Sequence, residues 1–303
     1  MSDRDQALLD EAVKDIARLK KQRSSQLYLV WLRFKKNRLA LVGFIMVCIV
    51  LFVAAFAPLL TPYDPYETDP FNRLKAPSRD HWLGTDELGR DVLTRLFYGT
   101  RIALLIGVLI VLFEGTIGIS LGIFSGFFGG VIDSIVMRLV DVLRSFPVII
   151  LAMAIAGIMG QGIMNVIIAM GIVGWTTYAR MVRSKILSIK ESDYVEAARS
   201  IGESKASIIL RYILPNTLPT AIVMVCIMMP TALIASSTLS FLGVGVQPPT
   251  ADWGSMISAG RDYLLDAPWI STSAGLAIMF TVLGFNFIGD GLRDALDPTI
   301  KRA

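Results

Sequence analysis

Six stretches of this chain, 39–60, 102–124, 146–159, 162–179, 218–242 and 270–288, run almost without charge. A hydrocarbon core about 30 Å thick takes roughly 20 apolar residues per helix, and inside it each backbone N–H and C=O must be satisfied within its own segment. The runs therefore predict an all-α integral membrane protein with six transmembrane helices. The third run is short, and the amphipathic stretch 132–143 before it is expected to extend it into the headgroup zone, with Arg138 and Arg144 reaching water. Only 18% of the 303 residues are charged, against about 25% in soluble domains. Disorder, collagen and a disulfide scaffold are excluded. Cys48 and Cys226 lie inside apolar runs and read as small buried hydrophobes. His81 is the single histidine and cannot assemble a zinc cluster alone.

Charge placement orients the spans. With an inside N-terminus, 22 of the 29 Lys and Arg fall on inside segments, and positive charge is retained on the cytoplasmic side. Both termini are then cytoplasmic, with outside loops at 61–101 and 243–269 and an inside loop at 180–217. Residues 1–38 form a cytoplasmic amphipathic segment, in which 8–19 reads as an interfacial helix with Leu9, Val13 and Ile16 on one face. The membrane domain is 39–303. The first span is not a cleavable signal, because 38 residues precede it and no small-residue cleavage pattern follows.

Chemistry-bearing motifs are sparse. Gly84 to Arg90 has the glycine spacing of a phosphate loop, but Arg90 and Asp91 stand where Lys and Ser or Thr are needed, and Asp86 and Glu87 repel phosphate. No nucleophile elbow, second histidine or intramembrane acid pair offers a catalytic site. No catalytic residue and no metal ligand is assigned, and the chain is not expected to hydrolyse ATP itself. The outer block of Gly84, Asp86, Gly89, Arg90 and Asp91 has two readings: a receiving surface or outer gate, and a loop folded on its own side-chain pairs. His81 reads as a surface or packing histidine. Gln247 to Pro249 and Trp253 are expected at the outer boundary, in a structural role. Glu114, twelve residues into the second run, lies about 18 Å deep. Exposure to lipid there is costly, so it is expected to face inward near Ser237 or Asn286, as a packing residue or as a group lining a pathway.

The informative segment is the inside loop, with Glu196, Ala197, Ala198, Arg199 and Gly202, closing on Tyr212, Ile213, Leu214 and Pro215. Its composition predicts two short helices bent at Gly202, where glycine tolerates the turn and a close backbone approach. By itself it is also compatible with an amphipathic linker.

The loop resembles the Glu-Ala-Ala motif of ABC-importer permeases, matched at Glu196, Ala197, Ala198, Gly202, Leu214 and Pro215, with Tyr212 where the general motif has Ile. Further stretches are similar to the C-type subunit of dipeptide, oligopeptide and nickel importers: 81–91, 240–249, 252–254 and 285–298. The resemblance implies a type I permease fold with six spans in the bacterial inner membrane, paired with a homologous second permease. It also implies two ATPase subunits that bind the ATP and Mg, and an extracytoplasmic binding protein. No nucleic acid is implied, and membrane lipid surrounds the spans. By the same resemblance the helix around Glu196 to Gly202 sits in a groove of an ATPase subunit and transmits its closure. Short peptides are the favoured cargo, with nickel chelates, glutathione and haem as alternatives. An ion-coupled secondary transporter is the alternative of a different class, but Glu114 alone lies deep in a span where such carriers show several ionisable residues. Asp290, Arg293, Asp294 and Asp297 either touch an ATPase subunit or cap the last span.

Overall fold

A computed structural model describes residues 30–296. The expected interfacial helix at 8–19, Asp297 and Pro298 lie outside the described residues. Ten α-helices follow the segment 30–36, which is itself helical. We label them α1 (Arg38–Leu60), α2 (Val92–Phe128), α3 (Gly130–Arg144), α4 (Val148–Met159), α5 (Ile163–Lys190), α6 (Asp193–Ser200), α7 (Lys205–Ile208), α8 (Leu214–Phe241), α9 (Trp253–Gly260) and α10 (Trp269–Leu296). Among the described residues there is no strand, and Thr85 and Asp91 form an isolated bridge.

Every apolar run is helical. Four helices are long and apolar enough to cross a membrane alone: α1, α2, α10 and the continuous helical stretch Lys205–Phe241 that ends as α8. The α3–α4 pair makes a fifth if counted as one broken span. The 28-residue α5 covers the fourth run, but Asn165, Thr176, Thr177 and Arg180 dilute its apolar stretch. It packs in the centre of the bundle, against α2.

The third run departs from expectation. Helices α3 and α4 meet at 89°, so α3 does not lengthen α4 along its axis. The reason is local: Pro147, the N-cap residue of α4, is extended and cannot donate to the preceding turn. Helix α3 instead crosses α5, where Arg183 pairs with Asp133 through Nη2–Oδ2 at 2.6 Å and Arg180 with Asp141 at 2.7 Å.

The core is a seam between α2 and α5 built on absent side chains. Gly118, Gly122 and Gly126 recur every four residues along α2 and face Trp175 to Tyr178, Ala179 to Val182, and Arg183 to Ile186. A Cβ at Gly122 would come within 2.8 Å of the Ala179 carbonyl oxygen. Small residues at this spacing let two backbones approach, and packing replaces the hydrophobic drive that lipid does not supply. Glycines perform the same service between α1 and α10, where a Cβ at Gly43 would meet the Phe287 Cβ at 2.6 Å.

Candidate functional site

The loop between α5 and α8 bends at Gly202 as expected, but only its first limb, α6, is a separate short helix; the second, starting at Lys205, runs on continuously into α8. Ser192 is the N-cap residue of α6, and Ser204 caps α7 by accepting from the Ser207 N–H. The first helix ends in a glycine cap: Gly202 takes φ +80, and the Glu203 N–H returns to the Ala198 carbonyl at 3.0 Å. Nothing lies within 4 Å of a Cβ built at Gly202. Within this chain its requirement is therefore the left-handed turn, and the expected close backbone approach is not made.

The two alanines of the motif point opposite ways. Ala198 is 3% exposed and sits with Val195, Ile208 and Ile213 in the apolar cluster that contains Ile123 and Phe127 of α2. Glu196, Ala197, Arg199, Ser200 and Gly202 are exposed, and Ile201 is 81% exposed. Lys190, Glu191, Glu196, Arg199 and Ser200 line an open depression beside them. Tyr212 keeps the apolar role of the residue it replaces by packing its ring 6.3 Å from that of Tyr194. Glu203 accepts from Ser207 Oγ at 2.6 Å and pairs with Arg211 at 3.3 Å, and the hydrogen bond from Ser207 is the main reason its carboxyl is held below the usual range. A π-turn at Ile209–Ile213 precedes Leu214 and Pro215; proline lacks the N–H that a regular turn needs, and the widened turn accommodates it.

Two contacts that sequence reasoning missed fasten this loop to α2. The Arg199 guanidinium lies 6.0 Å from the centroid of the Phe127 ring, and Lys205 Nζ lies 5.9 Å from that of Phe128. An aromatic pair at the end of an apolar helix is too common a signal to have found them.

At the other end of α2 the block 81–91 folds on its own polar pairs. Asp86 accepts the backbone N–H groups of Leu88 and Arg90 at 2.9 Å, and its second oxygen pairs with Arg90 Nε at 2.7 Å and Arg95 Nε at 3.4 Å. Arg90 also holds Glu87 at 2.8 Å. Asp91 caps α2 by accepting from the Thr94 N–H and hydroxyl at 2.7 Å, and its other oxygen meets His81 Nδ1 at 2.9 Å. His81 is thus a packing residue, its ring tilted against that of Tyr63 at 5.0 Å. Gly84 and Gly89 take φ +71 and +77, and a side chain at Gly89 would overlap the Asp69 carbonyl. The geometry accounts for all five residues of the block as parts of a folded cap.

The loop after α8 closes on the loop before α2 through the same helix. Arg95 donates to the carbonyls of Pro65 at 2.8 Å and Pro249 at 3.4 Å. Trp253 is a buried residue whose Nε1 donates to the Leu96 carbonyl at 3.0 Å, so its structural role is in the core and not at the lipid boundary. Asp252 caps α9 through the Ser255 N–H at 3.0 Å, and burial pushes its carboxyl above the ordinary range.

The three residues grouped as a pathway do not converge. Glu114 is buried, its carboxylate filling the space beside Gly174 of α5. Ser237 lies against Gly254, next to Trp253, which packs on Gly99. Gly99 and Glu114 are separated by 15 residues of one helix, about 22 Å. Asn286 is exposed on α10. Arg33 donates to the Ala295 carbonyl at 3.4 Å and Asn37 to Asp294 at 3.5 Å, which ties the end of α10 to the start of α1.

Comparison with known proteins gives these features a family. Residues 118–302 match the model described as binding-protein-dependent transport system inner membrane component. Residues 25–77 match the N-terminal TM domain of oligopeptide transport permease C. The chain is 44% identical to a dipeptide transport system permease protein of Alkalihalophilus pseudofirmus, covering 89% of this chain and 88% of that one. It is 40% identical to an oligopeptide transport system permease protein of Bacillus subtilis, with 89% of each covered. A glutathione transport system permease protein of Escherichia coli is 43% identical over 89% of this chain and 90% of its own. With both matched regions falling on the bundle just described, the chain belongs to the binding-protein-dependent transport system inner membrane components and, within them, to the C-type permease subunits of ABC importers.

Proposed function

We propose that this chain is one of the two membrane-spanning subunits of an ATP-driven importer of short peptides in a bacterial inner membrane, with both termini in the cytoplasm. A homologous permease supplies the other half of the pathway. Two ATPase subunits bind ATP and Mg and engage Glu196, Ala197, Arg199 and Gly202, while an extracytoplasmic binding protein delivers cargo over the outer cap. The observation that carries this reading is the divided Glu-Ala-Ala helix. Its Ala198 face is sunk into the bundle, and its Glu196 and Ala197 face is presented to solvent beside an open depression. A helix anchored on one side and bare on the other has the form of a docking element, and such an element passes on a partner's closure as alternating access.

Dipeptides and oligopeptides are favoured because two of the relatives are named for them, and the relatives named for glutathione support that cargo as the alternative. The test is reconstitution in proteoliposomes with labelled dipeptide, oligopeptide and glutathione. The complete assembly should accumulate peptide only with ATP and the binding protein, and this chain alone should be inert. Ion-driven uptake by the chain alone would replace this reading with that of a secondary carrier.

A further inference from the structure

The coupling loop is joined by the chain to α5 and α8, yet two of its cations reach a helix distant in sequence. Arg199 and Lys205 stand three residues either side of Gly202, and their partners, Phe127 and Phe128, are consecutive and occupy the last turn of α2. Both distances fall within the roughly 6 Å at which a cation is attracted to a ring face. The rings are themselves packed together: Phe127 meets Phe128 edge-on at 5.3 Å, and Phe128 stacks on Phe124 at 5.9 Å. Phe127 also shares the apolar cluster of Val195 and Ala198, so the helix end is gripped from both limbs of the bend.

Two features mark α2 as the element that would carry this grip onward. Directly after Phe128 the chain turns into α3 at Gly129 and Gly130, which take φ +68 and +55, and the hydrogen bond from Ser125 to Asp133 keeps the start of α3 on α2. In the other direction α2 is one unbroken helix of 37 residues, about 55 Å long, and its first turn is fixed to both outer loops by Asp91 and Arg95.

We propose that Phe127 and Phe128 are positioning residues for transport. Together with Arg199 and Lys205 they form a clasp through which movement of the coupling loop is delivered to α2, and α2 carries it as a rod to the outer cap. The proposal rests on the importer reading above and adds to it the route of transmission.

The experiment compares the reconstituted wild-type importer with Phe127→Leu/Phe128→Leu, which removes the ring faces but leaves every cation of the loop in place for the ATPase subunits. Assembly, ATP hydrolysis and labelled dipeptide uptake are measured on the same preparation. The expected result is assembled complex, hydrolysis within about twofold of wild type, and peptide moved per ATP reduced about fivefold or more, the scale of two lost cation–π contacts. Phe127→Tyr/Phe128→Tyr, which keeps both rings, should restore the ratio to within about twofold. If the Leu pair does not assemble, Lys205→Gln, at a cation on Phe128 outside the residues assigned to the ATPase subunits, tests the clasp from its exposed side, with the ratio reduced about twofold or more for one lost contact. A wild-type ratio in the Leu pair, or in Lys205→Gln where the Leu pair does not assemble, overturns the clasp. Wild-type vesicles with no ATP-driven uptake overturn the importer reading itself, so the two failures are distinguishable.

Discussion

Glu114 and Gly174 share one slot in the seam between α2 and α5: the carboxylate of the first fills the volume that a side chain at the second would need. From this close fit of a buried acid against glycine we predict a packing role for Glu114. Glu114→Gln keeps its shape and hydrogen-bonding capacity, so uptake should stay near wild type for neutral and cationic peptides alike. Gly174→Ala should displace the carboxylate and destabilise the protein by about 1–3 kcal/mol, read as a lower melting temperature of the solubilised complex. Selective slowing of cationic peptides by Glu114→Gln would return Glu114 to the pathway.

Gly202 is bound by backbone geometry, with open space around it. Gly202→Ala forces an L-residue into the left-handed region at roughly 1–2 kcal/mol, and uptake should fall while the protein still inserts. Gly202→Asp adds a charge on the exposed docking face, and Glu196→Lys reverses one. Burying an unpaired charge against a partner costs about 2–5 kcal/mol, so both should abolish uptake at normal membrane levels. Wild-type uptake by either would remove the docking role of the loop.

The outer cap turns on Asp86, which satisfies Arg90, Arg95 and two backbone donors at once. Removing one partner of a buried pair leaves the other charge uncompensated, at about 3–5 kcal/mol. Asp86→Ala should therefore lower the melting temperature far more than Glu87→Ala, whose arginine retains Asp86. Equal melting of the two variants would show that the cap is held by its backbone contacts alone.

Orientation is open to reporter fusions. A reporter active only outside the cytoplasm should respond when fused near Asp69 or Asp262 and stay silent near Lys205. The opposite pattern would invert the topology and move the coupling loop away from any cytoplasmic ATPase.

The helical runs and the bend at Gly202 were legible because each is written locally, in apolar length and one glycine, whereas the merging of the loop's second limb into α8 was not. The seam was half legible. The four-residue spacing of Gly118, Gly122 and Gly126 marks a helix contact face, but nothing in the spacing names α5 as the partner. The 89° turn at Pro147 was hidden because proline marks a break without fixing its direction. The separate positions of Glu114, Ser237 and Asn286 were not legible, because polarity in an apolar run shows that a residue avoids lipid, and which neighbours it meets depends on how the helices pack. The pairing of Asp86, Arg90 and Asp91 was legible because they lie close enough in sequence to pair locally, whereas Arg95 joins them only once α2 has formed.

The opposite orientations of Ala197 and Ala198 give the most direct test of the claim that this chain receives ATPase subunits on its bent loop. In a background with Cys48 and Cys226 replaced by Ser, single cysteines at Ala197 and at Ala198 are treated with a short thiol cross-linker in the assembled complex, against a cysteine engineered on each ATPase subunit. The account predicts a cross-linked product from position 197, changing in yield when ATP is added, and none from position 198. Cross-linking from 198 as readily as from 197, or from neither, would contradict it.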